Sequence, residues 1–166
     1  MISLDLLERI EAFRDLNDQQ LSAVRTCCRE LNFGCGDRLF AEGDPATHLW
    51  FIVDGEIQLR FEMPGRETSE DHTVSSIAMT SSESPAQAIG WSCFVSPFKM
   101  RLSAYCVSQS CKVIRMGKEN LFTLFQEDPR MGYLFMSYMV TVVGHRFHNF
   151  QEYTAKHLGQ NVMSGW

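Results

Sequence analysis

Phe33-Gly34-Cys35-Gly36-Asp37-Arg38-Leu39-Phe40-Ala41-Glu42-Gly43-Asp44-Pro45, followed by His48-Leu49-Trp50-Phe51-Ile52-Val53-Asp54-Gly55-Glu56-Ile57, decides the fold. Short apolar runs are broken by glycines and an Asp-Pro pair, and the last run ends in Asp-Gly. This punctuation predicts a small β-roll. Gly36, Gly43 and Gly55 read as turn residues that supply positive φ. Further on, Gly90-Trp91-Ser92-Cys93-Phe94 leads to Arg101-Leu102-Ser103-Ala104. A glycine, a short helical turn and a lone arginine suit an anion cradle. Backbone N–H groups at a helix start attract phosphate, and a guanidinium clamps it bidentately.

Outward from these stretches the period is informative. Ile57, Leu59 and Phe61 alternate with Gln58, Arg60 and Glu62, so one strand face is buried and one is wet. Pro64-Gly65 signals a hairpin turn, 67–72 reads as an exposed polar stretch, and 80–87 reads as a serine-rich mobile loop. Runs 104–107 and 111–116 finish the roll. Before it, Leu4, Leu7, Ile10 and Phe13 have helical spacing, and Asn17 with Gln20 forms a capping-box pattern. After Met116 the period returns to that of a helix. Leu121, Phe122, Leu124 and Phe125 make one short helix, and Asp128-Pro129 opens another that runs to about His157. Phe135, Tyr138, Val142, Phe150, Tyr153 and His157 share one face of it, with Met139, Val143 and Phe147 beside them.

These features resemble the cyclic-nucleotide-binding domain of catabolite-activator-type (Crp/Fnr-like) regulators over about residues 4–157. In that family the phosphate-binding cassette reads Gly-Glu, a few small or apolar residues, then Arg-Ser-Ala or Arg-Thr-Ala. Gly90 and Arg101 match; Trp91 stands in place of the glutamate, Leu102 of Ser or Thr, and Ser103 of Ala. The resemblance implies a mostly β fold, a jelly-roll or double-stranded β-helix, with short N-terminal helices and a long C-terminal helix. It also implies that the glutamate would hold a ribose hydroxyl and the arginine the cyclic phosphate. This chain keeps the phosphate half and has lost the sugar half. The expected layout is one domain over 1–166: helices in 1–29, the roll in 30–116, the family's B and C helices in 117–158 and a tail in 159–166. In the family the C-helix is the dimer seam and the lid of the ligand pocket, and a helix-turn-helix often follows it. Only eight residues follow Leu158 here, so a stand-alone module without direct DNA binding is expected.

Bulk properties fit. The chain has 166 residues, 45% hydrophobic and 21% charged, and a formal net charge of −5, which argues against a nucleic-acid surface. Six cysteines include no C-x-x-C pair, and the opening Met1-Ile2-Ser3-Leu4-Asp5 lacks a basic, apolar leader. Free thiols in the cytoplasm are the simplest account. The longest apolar run, 133–143, is too short to span a bilayer.

The candidate ligand-binding residues are Gly90, Trp91, Ser92, Cys93, Arg101, Leu102 and Ser103, with Lys99 a weaker anion contact. Trp91 admits three readings: a plug of the ribose site, a stacking surface for a flat ligand, or a core aromatic. Ser92 and Ser103 are hydroxyl donors or turn residues. His145 and His148 share a helix face, but exposed helix histidines are the simpler reading than a metal or haem site. A cupin-type metal enzyme would need converging ligands, and the corresponding stretch offers His48 alone. The expected function is therefore a non-catalytic sensor in signal transduction. Its effector is a cyclic nucleotide, cAMP or cGMP, or another anion, and it signals to the C-helix. The alternative is a pseudo-sensor, a dimerisation or protein-interaction domain without a nucleotide. A homodimer through the last helix is expected, with output passed to a protein partner and no membrane.

Overall fold

The computed structural model describes residues 2–62, 76–80 and 88–163. The expected Pro64-Gly65 turn, the polar stretch 67–72 and most of the serine-rich loop lie outside them. Two helices, α1 (Leu4–Glu8) and α2 (Asp18–Cys27), flank a 3-10 turn at Glu11–Phe13. The capping box closes α2 as its sequence predicts: Asn17 Oδ1 accepts from the Gln20 N–H at 2.9 Å, and Gln20 Oε1 accepts from the Asn17 N–H at 3.0 Å. The chain then enters β1 (Cys28–Gly34) at once, two residues before the expected start. The other strands are β2 (Arg38–Phe40), β3 (His48–Arg60), β4 (Ser76–Thr80), β5 (Ala88–Ile89), β6 (Ser103–Cys106) and β7 (Ser110–Gly117).

These strands form a curled antiparallel sheet in the order β1-β7-β3-β6-β2, with β4 and β5 also pairing β3. The long strand β3 is the hinge of the roll. Its register slips between Ile52 and Asp54, and Gly55 follows at φ 85°. A Cβ at Gly55 would sit 2.4 Å from the Ser110 carbonyl, so only glycine fits this corner. Before the bulge β3 pairs β5 and β7; after it, β4 and β6.

Alternation along β3 splits the core in two. Leu49 and Phe51 face the helices and join Leu7, Ile10, Phe13, Leu121, Met131 and Phe135. Phe13 lies 5.3 Å from Phe51 and 5.9 Å from Phe135, ring centre to ring centre. Trp50, Ile52, Ile57 and Leu59 face the inside of the roll with Ile89, Ala104, Cys106, Cys111 and Val113. Phe61, expected on the buried face, lies past the end of β3 and is 42% exposed.

Helix α3 (Lys118–Glu127) leads to α4 (Pro129–Met163), which runs past the expected end. Asp128 starts α4 by accepting from the Met131 N–H at 3.0 Å, and Gln20 Nε2 of α2 donates to its other oxygen at 2.6 Å. The expected apolar face of α4 is corrected by the structure. Met131, Phe135 and Met139 are buried against the roll, and Tyr138 is half-buried, so much of the face read as a seam is spent on the body. The exposed row is Phe147, which the expected stripe included, with Tyr133, Met136 and Val140, which it did not. Phe150, Tyr153 and His157 have side chains outside the described ones. Among the described residues no helix is long and apolar enough to cross a membrane.

Candidate functional site

Strand β5 delivers the chain to Gly90, which takes the left-handed conformation (φ 78°) and caps a four-residue 3-10 helix, Trp91–Phe94. A Cβ on Gly90 would lie 2.9 Å from Trp50 Cδ1 and 3.0 Å from the His48 carbonyl. Glycine is thus required by both dihedral and space. Within the turn, the Cys93 N–H donates to the Gly90 carbonyl at 3.1 Å and the Val95 N–H to the Ser92 carbonyl at 3.2 Å.

The remaining cassette residues are placed as follows. Trp91 is half-buried and packs on the helix-side core, away from the roll interior. Ser92 is half-buried. Cys93 is fully buried, and burial pushes its thiol up to about 12, far from the range of a reactive thiolate. Leu102 packs against the roll interior. Ser103 is fully buried and already engaged: its Oγ accepts from the Glu42 N–H at 2.8 Å and its hydroxyl bonds the Glu62 carboxylate. The Tyr105 hydroxyl also donates to Glu62, and these bonds hold that carboxyl below its ordinary range. Arg101 is exposed and makes no ion pair or hydrogen bond with the described residues. Lys99 lies in a backbone bridge with Pro45. His145 and His148 are both exposed.

Two residues not singled out from the sequence complete this region. Trp50 is 5% exposed, and its indole N–H is buried without an acceptor among the described residues. A donor left unsatisfied costs about 1–3 kcal/mol. Arg146, on α4, donates from Nη2 to the Ala88 carbonyl at 2.6 Å, two residues ahead of Gly90. Tyr138, two turns earlier on α4, is half-buried, and burial pushes its hydroxyl up to about 12. The only sequence signal for Arg146 was a charge inside an apolar helix; for Trp50 it was an indole on the inward register of β3.

No family model matches the chain. The structure nevertheless has the cyclic-nucleotide-binding-domain fold of Crp/Fnr-type regulators. A provisionally named cyclic nucleotide-binding protein from Geobacter metallireducens GS-15 superposes with a TM-score of 0.71 at 22% identity, over 89% of this chain and 100% of that one. Thermus thermophilus catabolite activator protein gives 0.64 at 14% identity, over 87% of this chain and 63% of the activator. The regulatory domain of Toxoplasma gondii PKA, solved with cAMP, gives 0.57 at 19% identity, over 73% of this chain and 42% of that one. In sequence, cyclic nucleotide-gated ion channel 18 of Arabidopsis thaliana is 31% identical over 65 residues, which are 39% of this chain and 9% of the channel.

Proposed function

We propose that this chain is a non-catalytic regulatory module that takes an anionic effector of the cyclic-nucleotide class beside the Gly90 turn and reports it through α4. The observation that carries the reading is the attachment of α4, through Arg146, to the Ala88 carbonyl. A ligand entering at Gly90–Ser103 must disturb the strand end that holds the helix. Such a ligand shifts the helix only by its differential affinity for the two helix positions. Arg101, exposed and unpaired among the described residues, is the cation available to the effector's phosphate. The unsatisfied Trp50 N–H is a donor available to it.

The module works as a cytoplasmic homodimer and hands its output to a protein partner. Tyr133, Met136, Val140, Val143 and Phe147 recur at alternating steps of three and four on α4, the spacing of a two-helix seam.

The test is titration calorimetry of the full chain with cAMP and cGMP, with Arg101→Ala alongside. Micromolar binding lost in the variant supports the reading. No heat with either nucleotide favours the second reading, a pseudo-sensor. That reading has its own observation: Trp50, Phe33, Phe40 and Leu102 crowd the roll interior.

A further inference from the structure

Outside the 90–103 segment, two arginines and a histidine from three neighbouring strands lie together at the edge of the roll. Arg29 of β1 stands directly opposite Arg115 of β7, and Arg115 stands directly opposite Trp50 of β3. Directly paired residues of antiparallel strands share a face with Cβ atoms about 5 Å apart. The Arg115 guanidinium lies 5.3 Å from the Trp50 ring centre, and the His48 ring 6.3 Å from it. Thr47 Oγ1 lies 2.8 Å from His48 Nδ1 and orients the imidazole.

Like charges directly opposite one another destabilise a sheet. Ordinarily a carboxylate relieves the pair, but neither arginine has an ion-pair partner among the described residues. Burial, Arg115 and Arg29 together hold the His48 imidazole below its ordinary value. In a chain of net charge −5, this is a concentrated positive site that weakens the free protein.

We propose that Arg29, Arg115 and His48 form a second anion site that binds a small phosphate-bearing molecule. The guanidiniums converge from neighbouring strands rather than lining a groove, and Arg115, His48 and Trp50 are recessed, so the site suits one tetrahedral anion. An extended acidic segment would need charges spaced along a surface. Bound phosphate would accept from both arginines and draw a proton onto His48.

The experiment uses the full chain and pyrophosphate or inorganic phosphate, read by thermal unfolding and calorimetry against sodium chloride and sulfate at equal ionic strength. Phosphate should stabilise saturably, and Arg29→Gln should weaken its binding about tenfold or more, the loss typical of one charged partner. Without anion, Arg29→Gln should be at least as stable as the wild type, because the like-charge contact is gone. By NMR, phosphate should raise the His48 titration in the wild type and not in Arg29→Gln. Arg115→Gln is the second probe, since it also removes the contact with Trp50. The proposal is overturned by no effect beyond that of chloride, by equal stabilisation by sulfate and phosphate in all variants (an adventitious ion only), or by a response lost in Arg101→Ala but kept in Arg29→Gln. Binding of a polyglutamate or phosphoserine peptide without binding of free phosphate would assign the patch to protein docking instead.

Discussion

Arg146 of α4 donates to the carbonyl of Ala88 at 2.6 Å, joining residues 58 positions apart and fastening the last helix to the strand that opens the Gly90 turn. Burial lowers the guanidinium's basicity, and among the described residues no carboxylate pairs with it. The helix is therefore held by a hydrogen bond to a neutral carbonyl rather than by an ion pair.

Removing that bond should loosen the helix while leaving the roll intact. Arg146→Met keeps the apolar stem and should cost about 1.5 kcal/mol or more of stability. Hydrogen exchange should speed up at 88–94 and along the second half of α4, and not in β1 or β7. Uniform exchange rates across the variant would show that Arg146 is not the tether.

Gly90→Ala adds a methyl 2.9 Å from Trp50 Cδ1 and forces a non-glycine residue to φ 78°. The expected loss is about 2 kcal/mol, from strain in the left-handed region. A variant as stable as the wild type in a denaturant titration would rule out this geometry.

Trp50→Phe removes the unsatisfied N–H and keeps an aromatic ring in the roll. Stability should change little or rise, because an unpaired buried donor costs about 1–3 kcal/mol. Effector affinity should fall if the indole donates to the ligand; an unchanged dissociation constant would remove Trp50 from the site.

The His48 imidazole titrates below its ordinary value of 6.5 in the native state. Between that value and the lower native one, the unfolded chain binds a proton that the folded chain does not. His48 therefore contributes stability that is present above 6.5 and lost as pH falls through it towards the native value. Comparing denaturation midpoints at about pH 7.5 and about pH 5.5, His48→Asn should show a shallower acid loss than the wild type. Parallel losses would mean that other groups govern this window.

Val140 is 70% exposed in the middle of the proposed seam. Val140→Glu should yield a monomer in sedimentation with an unchanged circular dichroism spectrum. A wild-type protein that is already monomeric at high concentration would eliminate the seam.

Local features of the fold were legible in the residues. Asn17 and Gln20 cap α2, Asp128 and Pro129 start α4, and Gly36, Gly43 and Gly55 take positive φ, because each depends on neighbours a few positions away. The face that α4 presents was not legible. Phe135 and Phe147 are equally apolar, yet Phe135 is buried between Phe13 and Phe125 and Phe147 is 57% exposed. Periodicity identifies an apolar stripe but does not say which part of a broad one the body covers.

By itself the sequence determined the element types and the turns at Gly36, Gly43 and Gly55, all short-range consequences of dihedral preference and hydrophobic period. Only the tertiary structure decided that Trp91 packs towards the helices while Trp50 fills the roll, that Arg146 reaches Ala88, and that Arg29 faces Arg115. These are pairings between distant segments. They are set by strand register and by the β3 bulge, where a shift of one residue would send each side chain to the opposite face.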